Sequence, residues 1–414
     1  MGNHPCGGSA CPRLTVMSDP DHFGRPRRRR HAAALTLVFA GVLATGAATD
    51  AWTNPSDQDG KPTTVPAGGS TAAAYQSDVT RAAAEAMADG KSPTDAARRE
   101  VSRSGDRWSA VYSEGEYAEF EQALDGEYTG VGLWVIRGSD GHIEVARVQP
   151  GGPADRAGIR GGDRLTAIDG RHVGGLPVTE VVSLLRGDAD GGRAPAPGST
   201  VVLAVSRGGH AWQQTLHRAR LSTDSVTVEQ LGPSAGGGVL IKVASFTKGS
   251  GAQVRKAVRE APDGAGILLD LRGNSGGLVT EAAETASVFL DGGIVATYDV
   301  EGEQRSLHAT RGGDTRRPVV ALVDGGTMSA AELLTGALQD RGRAVVVGAR
   351  TFGKGSVQMP SRLPDGSVAE LTVGHYRTPL GHNLDGLGIE PDLEVQAGAR
   401  KQAETVLSGL GSPS

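Results

Sequence analysis

The sequence predicts a mixed α/β protein: a layered α/β core, preceded by a small β-rich domain and a helical lead-in. Three textures predict this. From about residue 222 onward, apolar strand-like runs alternate with helical runs, as in "GVLIKVASF", "GSGAQVRKAVREA", "AGILLDLRG" and "TEAAETASVFL". Such alternation builds a sheet with strands buried on both faces. Residues 126–218 instead carry short β-prone runs between glycine turns, "GLWVI", "HIEVARV", "RLTAIDG" and "TVVLAVSR", with one helical run, "VTEVVSLLRG". Alanine-rich stretches from about 75 to 124, with Val79, Ala83 and Met87 on one side, predict short helices.

Taken in order, residues 1–31 form a basic tail that ends in "RPRRRR" and His31. An uncharged stretch, "AAALTLVFAGVLATGAAT", follows from Ala32 to Thr49. Positive charge before a short apolar segment marks export with the amino terminus held in the cytoplasm, either as a cleaved signal or as a membrane anchor. Residues 50–74, rich in Pro, Gly, Ser and Thr, read as a tether. The expected body is then a helical region at 75–125, the β-rich domain at 126–220 and the core at 221–410.

Composition narrows the function. With 38% apolar and 21% charged residues the body is globular, and a net charge of −5 gives no reason to expect a nucleic-acid partner. Both cysteines, Cys6 and Cys11, precede the apolar segment, so the exported body has no thiol nucleophile, disulfide or thiolate metal ligand. Nothing resembles H-E-x-x-H, Asp324 and Glu332 are too isolated for a metal site, and no cofactor is expected.

Loops at the carboxyl ends of buried strands carry function in such layered folds. Three strand ends stand out: "ILLDLRGNSGG", "VVALVDGGTMSAAELL" and "VVVGARTFGKGSVQ". The last places Gly348, Gly353 and Lys354 as a phosphate loop would, but Gly355 stands where the Mg²⁺-binding hydroxyl belongs. Nucleotide binding is therefore one reading of Lys354. Its rival is a proton acceptor, since burial in an apolar, glycine-walled slot lowers a lysine pKa far enough to make it a base. Ser329 opens a helix at a sharp turn, where it serves as a cap, a role Thr327 can equally fill, or as an exposed nucleophile. Of His142, His172, His210, His217, His308, His375 and His382, none sits in a strand-end loop beside a carboxylate, so a Ser-His-Asp triad has no support.

The series "LLDLRGNSGGL", "GGTMSAAELLTGALQDRGRAVVVGARTFGKGSVQ" and "LPDGSVAELTVGHYRTPLGHNLDGLGIEPD" resembles the C-terminal processing peptidases, the tail-specific protease family of serine peptidases. The likeness runs over roughly residues 120–410. It implies a layered protease core in which Ser329 is the nucleophile and Lys354, 25 residues on, the base, with Gln358 orienting the lysine. It further implies backbone oxyanion donors at Ala330 and Gly276. The β-rich domain, through "GEYTGVGLWV" and "VQPGGPADRAGIRGGDRLTAIDG", resembles a PDZ module. Such a module receives a peptide carboxylate on the loop corresponding to Gly130, Val131, Gly132 and Leu133. Partners would be protein or peptide substrates with free C-termini, and the cell membrane if residues 32–49 stay uncleaved. A homo-oligomer is left open.

The chain departs from the family at Ala331 (commonly serine), Met328 (usually alanine) and Ser275 (often proline), none of which removes a catalytic atom. Asp270 and Arg272 suggest a buried structural pair, Asn274 a support for the oxyanion turn, and Asp163 a turn residue. Lys242 and Lys248 read as ordinary charged residues. Two further readings remain: a non-catalytic PDZ scaffold with a decayed protease layer, and the nucleotide enzyme.

Overall fold

The computed structural model describes residues 69–138, 140–187, 196–232, 237–300 and 303–411. The basic tail, both cysteines and the apolar stretch 32–49 lie outside the described residues. No helix among the described residues is long and apolar enough to cross a membrane.

The core sheet forms because its strands are apolar at consecutive positions. It comprises β10 (Val226–Gln230), β11 (Val239–Val243), β12 (Ile267–Asp270), β15 (Val319–Val323), β16 (Val345–Gly348) and β19 (Leu393–Glu394), in that spatial order. All neighbours are parallel except β10 with β11. Alternate side chains serve opposite faces. Leu240, Leu268, Val320, Leu322 and Val347 pack on Ala403 and Leu407 of helix α9 (Ala399–Gly411). Ile241, Ile267, Leu269 and Ala321 pack on the other side with α6 (Ser250–Glu260), α7 (Val279–Phe289) and α8 (Ala330–Asp340). Each such Val, Leu or Ile side chain withdrawn from water contributes about 1.5–3 kcal/mol before entropy is charged against it. Helix α8 is buried at every residue from Ala330 to Leu338, so whatever its first turn carries is held rigidly.

A second sheet sets β18 (Val368–Arg377) between β17 (Ser356–Arg362) and β13 (Ile294–Val300), with β1 (Ala110–Tyr112) on β18 and β14 (Glu303–His308) on β13. Helices α1 (Gly69–Ala88) and α2 (Pro93–Ser104) cover it. Val79, Ala83, Ala97 and Val101 meet Val111, Ala369 and Leu371 there. Helix α1 thus begins inside the stretch read as tether, and β1 interrupts the region read as helical. Helix α3 (Glu114–Leu124) completes the lead-in behind a capping box at Ser113 and Glu116.

The β-rich unit has its own core around Ile143, Ile168, Val181 and Leu203. Its sheet runs β3 (Leu133–Arg137), β4 (Ile143–Val148), β5 (Arg164–Ile168), β7 (Thr200–Arg207), β8 (His210–His217), with β6 (Arg171–His172) on β5. A single turn of helix, α4 (Pro153–Arg156), follows β4. Strand β3 is an edge, paired on one side only, and helix α5 (Val178–Arg186) packs beside it. A separate ladder of β2 (Glu127–Gly130) with β9 (Ala219–Ser222) joins the two ends of the unit.

Candidate active site

The three strand ends singled out in the sequence converge, because β12, β15 and β16 are neighbours in one parallel sheet and their loops leave the same edge. Strand β15, buried throughout, turns at Asp324–Met328 and delivers Ser329 at the cap of α8 with φ 52° and ψ −118°. Ser329 and Asp169 are the only non-glycine residues with positive φ among the described residues. Strained backbone at a strand-to-helix turn is how a nucleophile is lifted out of a sheet. Thr327 does not take the cap: it is buried, with Oγ1 donating to Leu271 O at 2.9 Å and accepting from Asp324 N at 3.0 Å. Asp324 Oδ1 accepts from Gly273 N and Gly326 N, both at 2.9 Å, which binds this turn to the one after β12.

That second turn is organised by Asn274, fully buried. Its Nδ2 donates to Val243 O at 3.0 Å, its Oδ1 accepts from Gly276 N at 2.8 Å, and its carbonyl accepts from Met328 N at 2.8 Å. A Cβ on Gly276 would lie 2.9 Å from Ser329 Cβ, so glycine is required for the two turns to touch. The expected donor at Ala330 suits its role: as the first helical residue its N–H has no intrahelical partner. The expected donor at Gly276 does not point freely at a substrate here, because Asn274 Oδ1 holds its N–H.

Strand β16 ends at Gly348, where φ is 137° and a Cβ would sit 2.0 Å from Val323 O. The following loop carries Lys354 and runs into β17 at Ser356. The phosphate-loop reading fails on this geometry. A phosphate loop opens a helix whose N–H groups face the ligand, whereas a strand follows Lys354. The N–H groups of Gly353 and Lys354 turn inward to a carboxylate.

That carboxylate is Glu332, fully buried on the first turn of α8. Oε1 accepts from Thr351 Oγ1 at 2.6 Å and Gly353 N at 2.7 Å, and Oε2 from Lys354 N at 2.8 Å and Ser329 N at 2.9 Å. One side chain therefore fixes the backbones of both Ser329 and Lys354. Thr351 Oγ1 in turn accepts from Ile389 N at 2.7 Å. Sequence reasoning set Glu332 aside as a metal ligand and missed this role. The signal was present in the capping spacing S-x-x-E, in which the glutamate reaches back to the cap N–H.

The Lys354 amine lies 5.3 Å from the centre of the Trp108 ring. Burial holds its pKa below the ordinary lysine value, while Glu370, Asp106 and Glu332 oppose that shift. No hydrogen bond joins the amine to Ser329 Oγ or to Gln358 in this state. Gln358 Nε2 instead donates to Ser356 Oγ at 2.6 Å and Thr372 Oγ1 at 3.4 Å. Trp108 stands far from the motifs in sequence, and Glu370, although inside the last of the quoted stretches, had nothing local to mark it.

Of the minor candidates, Asp270, buried, and Arg272, half-buried, form the expected pair through two contacts of 2.7 and 2.8 Å. Lys242 Nζ donates to Arg272 O at 3.0 Å and Lys248 faces Asp125 at 3.5 Å. Asp163 is buried in its turn and accepts from Arg160 N and Arg207. His375 and His382 face Asp385 and Asp340 rather than Ser329. In the β-rich unit, Val131 O and Gly132 O accept from Ala154 N and Gln149 N, Gly132 takes φ 77°, and Leu133 opens the edge strand β3. Gly130 ends β2.

Fold and site together define an α/β enzyme of the serine-peptidase class with an embedded PDZ module. The model for peptidase family S41 matches residues 239–395, and a PDZ-domain model matches residues 144–191. A curated protein named C-terminal processing peptidase, chloroplastic, from Tetradesmus obliquus is 35% identical over 317 residues, covering 73% of this chain and 67% of that one. Carboxyl-terminal-processing peptidase 3, chloroplastic, from Arabidopsis thaliana is 33% identical over 316 residues, covering 72% and 59%. The Carboxyl-terminal-processing protease of Synechocystis is 35% identical over 290 residues, covering 68% and 66%. Among solved structures, one titled photosystem II D1 C-terminal processing protease matches at 29% identity over 77% of this chain and 86% of that chain, with a TM-score of 0.47. The chain belongs to peptidase family S41. It spans about three-fifths to two-thirds of the length of these curated relatives.

Proposed function

We propose that this protein is a serine endopeptidase that cleaves proteins near their C-termini, using Ser329 as nucleophile and Lys354 as general base. The observation that carries this reading is the Glu332 carboxylate, which accepts from the backbone N–H of both residues and so holds the serine turn and the lysine loop together. Burial supplies the second requirement, a lysine whose neutral form is accessible. Ser329 Oγ attacks the scissile carbonyl as its proton passes to Lys354 Nζ. The tetrahedral oxyanion is met by the N–H of Ala330 and by that of Gly276 once it leaves Asn274 Oδ1. The lysine then protonates the leaving amine, an acyl-enzyme remains, and water activated by the same lysine releases the acid and restores the serine.

In this reading the PDZ unit holds the substrate tail. An extended peptide adds to the free edge of β3 against α5, its carboxylate on the N–H groups of residues 130–133. Turning the carbonyls of Val131 and Gly132 toward Ala154 and Gln149 supports that use of the loop. The body works outside the cytoplasm, tethered or released according to the fate of residues 32–49.

The test incubates purified protein with substrates that differ only in their last residues and reads the products by mass spectrometry. Ser329→Ala abolishes cleavage and labelling by a serine-reactive phosphonate while tail-peptide binding stays near normal. Cleavage retained by a pure S329A sample removes the assignment.

A further inference from the structure

We propose that Trp108 is a positioning residue that seats the Lys354 amine, and that Glu370 supplies the counter-charge of that seat. The proposal rests on the Ser-Lys reading but uses residues outside it.

The seat is built from a segment remote in sequence. Trp108 lies between α2 and β1, and its ring centre is 5.3 Å from Lys354 Nζ, inside the range in which an aromatic face attracts a cation. The indole is fixed more firmly than a mere wall requires. Its Nε1 donates to Asp385 Oδ1 at 3.2 Å, and Phe352 of the lysine loop meets it edge-on at 5.7 Å. Trp108 N donates to Asp106 Oδ1 at 2.9 Å, and the adjacent Ser109 Oγ accepts from Thr372 N of β18 at 3.0 Å. The segment is thereby docked on the hairpin that carries the base.

Charge around the seat favours the ammonium form. Glu370 comes from β18, Asp106 from the Trp108 segment and Glu332 from α8, and all three act to retain the lysine proton against burial. Arg107 lies over the same indole at 4.6 Å, Tyr117 of α3 hydrogen-bonds Glu370, and Asp385 with its neighbour His375 sits at the indole nitrogen. Burial pushes the Glu370 carboxyl up, with the Lys354 charge working against it. The two groups therefore share one problem: each is charged at low cost only while the other is. A lysine that serves as base must be neutral and beside Ser329. The aromatic face and the neighbouring carboxylates therefore both bear on how readily Lys354 gives up its proton.

The experiment follows the rate at which acetic anhydride modifies Lys354 as a function of pH, read by peptide mass spectrometry. This reports the amine's titration whether or not the protein cleaves anything. The parallel measurement is the pH profile of kcat/KM on a cleaved substrate. Trp108→Leu, which keeps an apolar wall without the aromatic face, and Glu370→Gln, which keeps shape without charge, each move the acylation midpoint down by about 0.5 to 1.5 pH units. The acid limb of kcat/KM moves with it. Trp108→Phe, which retains an aromatic face, stays nearer the wild-type midpoint than W108L does. Thermal unfolding midpoints confirm that the compared samples are folded, and E370Q carries the test if W108L is not. Unchanged midpoints, a shift to higher pH, or a loss of activity equal at every pH overturns the seat. Failure of the Ser-Lys reading looks different: wild-type protein that neither cleaves nor labels at Ser329.

Discussion

Replacing Glu332 with glutamine keeps the shape of the side chain and removes its ability to accept at both ends. Four donors converge on the carboxylate: Thr351 Oγ1 and Gly353 N on one oxygen, Ser329 N and Lys354 N on the other. An amide has one oxygen, so in either orientation its NH₂ faces two donors. Each buried donor left without an acceptor costs about 1–3 kcal/mol, or about 2–6 kcal/mol for two. The loops relieve this by separating, and that separation moves Lys354 away from Ser329. If the full cost falls on the transition state, kcat/KM drops by about 30-fold to 10⁴-fold at 1.4 kcal/mol per tenfold. Steady-state kinetics of E332Q beside wild type, with thermal unfolding on the same samples, separates the two destinations of the energy. The expected result is a large fall in kcat with KM little changed, and a lowered midpoint. A folded E332Q whose kcat/KM stays within about threefold of wild type refutes the idea that this carboxylate fixes the nucleophile to its base.

Gly276→Ala places a Cβ 2.9 Å from Ser329 Cβ; it should yield folded protein with kcat down by at least about tenfold, and equal kcat would show that the two turns are free to part. Lys354 must be neutral to act and its pKa is held below the ordinary value of 10.5, so kcat/KM should rise with pH through a midpoint below that value. The Lys354→Ala variant should lose the limb along with the activity, and a retained limb would assign it elsewhere. Asp163 is buried, yet Arg207 and the N–H of Arg160 outweigh that burial and lower its pKa. Its contribution to stability is therefore present above the ordinary carboxylate value of 3.8 and lost as pH falls through the lowered one. Asp163→Asn should cost about 1–3 kcal/mol near neutrality, less than a fully buried pair because Arg207 is 42% exposed. The gap to wild type in thermal unfolding should close in acid, and a constant gap would mean that packing rather than charge is lost.

Much of the core was legible because its signals are local and strong. "ILLD" and "VVALV" are apolar at almost every position, which only a strand buried on both faces explains, and both are central strands. The three strand-end loops could be grouped by their sequence alone because parallel neighbours share one functional edge. The helical lead-in was legible less fully. Its helices were found, but "AVY" at Ala110–Tyr112 is too short to announce a strand and owes its pairing to β18, more than 250 positions later in the chain. A similar distance hid Trp108, whose meaning depends on a lysine brought to it by tertiary folding, while Glu370 is near Lys354 in sequence but meets it only through the β17–β18 pairing. Glu332 was hidden differently: its spacing was readable, but the spacing alone reveals a helix cap and not the two loop amides that fold back onto it.

The division of the site between two sheets explains why a buried carboxylate is needed at all. Ser329 leaves the parallel sheet on α8, a helix with no solvent face in its first turns, so its place is set by the core. Lys354 enters β17, which belongs to the second sheet and is paired with β18 alone. That hairpin meets the core through Val357 and Tyr376, and α1, α2 and the Trp108 segment pack on it as well. Dispersion contacts alone tolerate sliding between such layers at little cost per contact, whereas four charge-assisted hydrogen bonds to one immobile side chain do not. The loop backbone is therefore fixed, and the lysine amine it carries rests beside the Trp108 ring. A base mounted this way depends on the lead-in as well as on the core, so whatever loosens the lead-in from β18 acts on the base first.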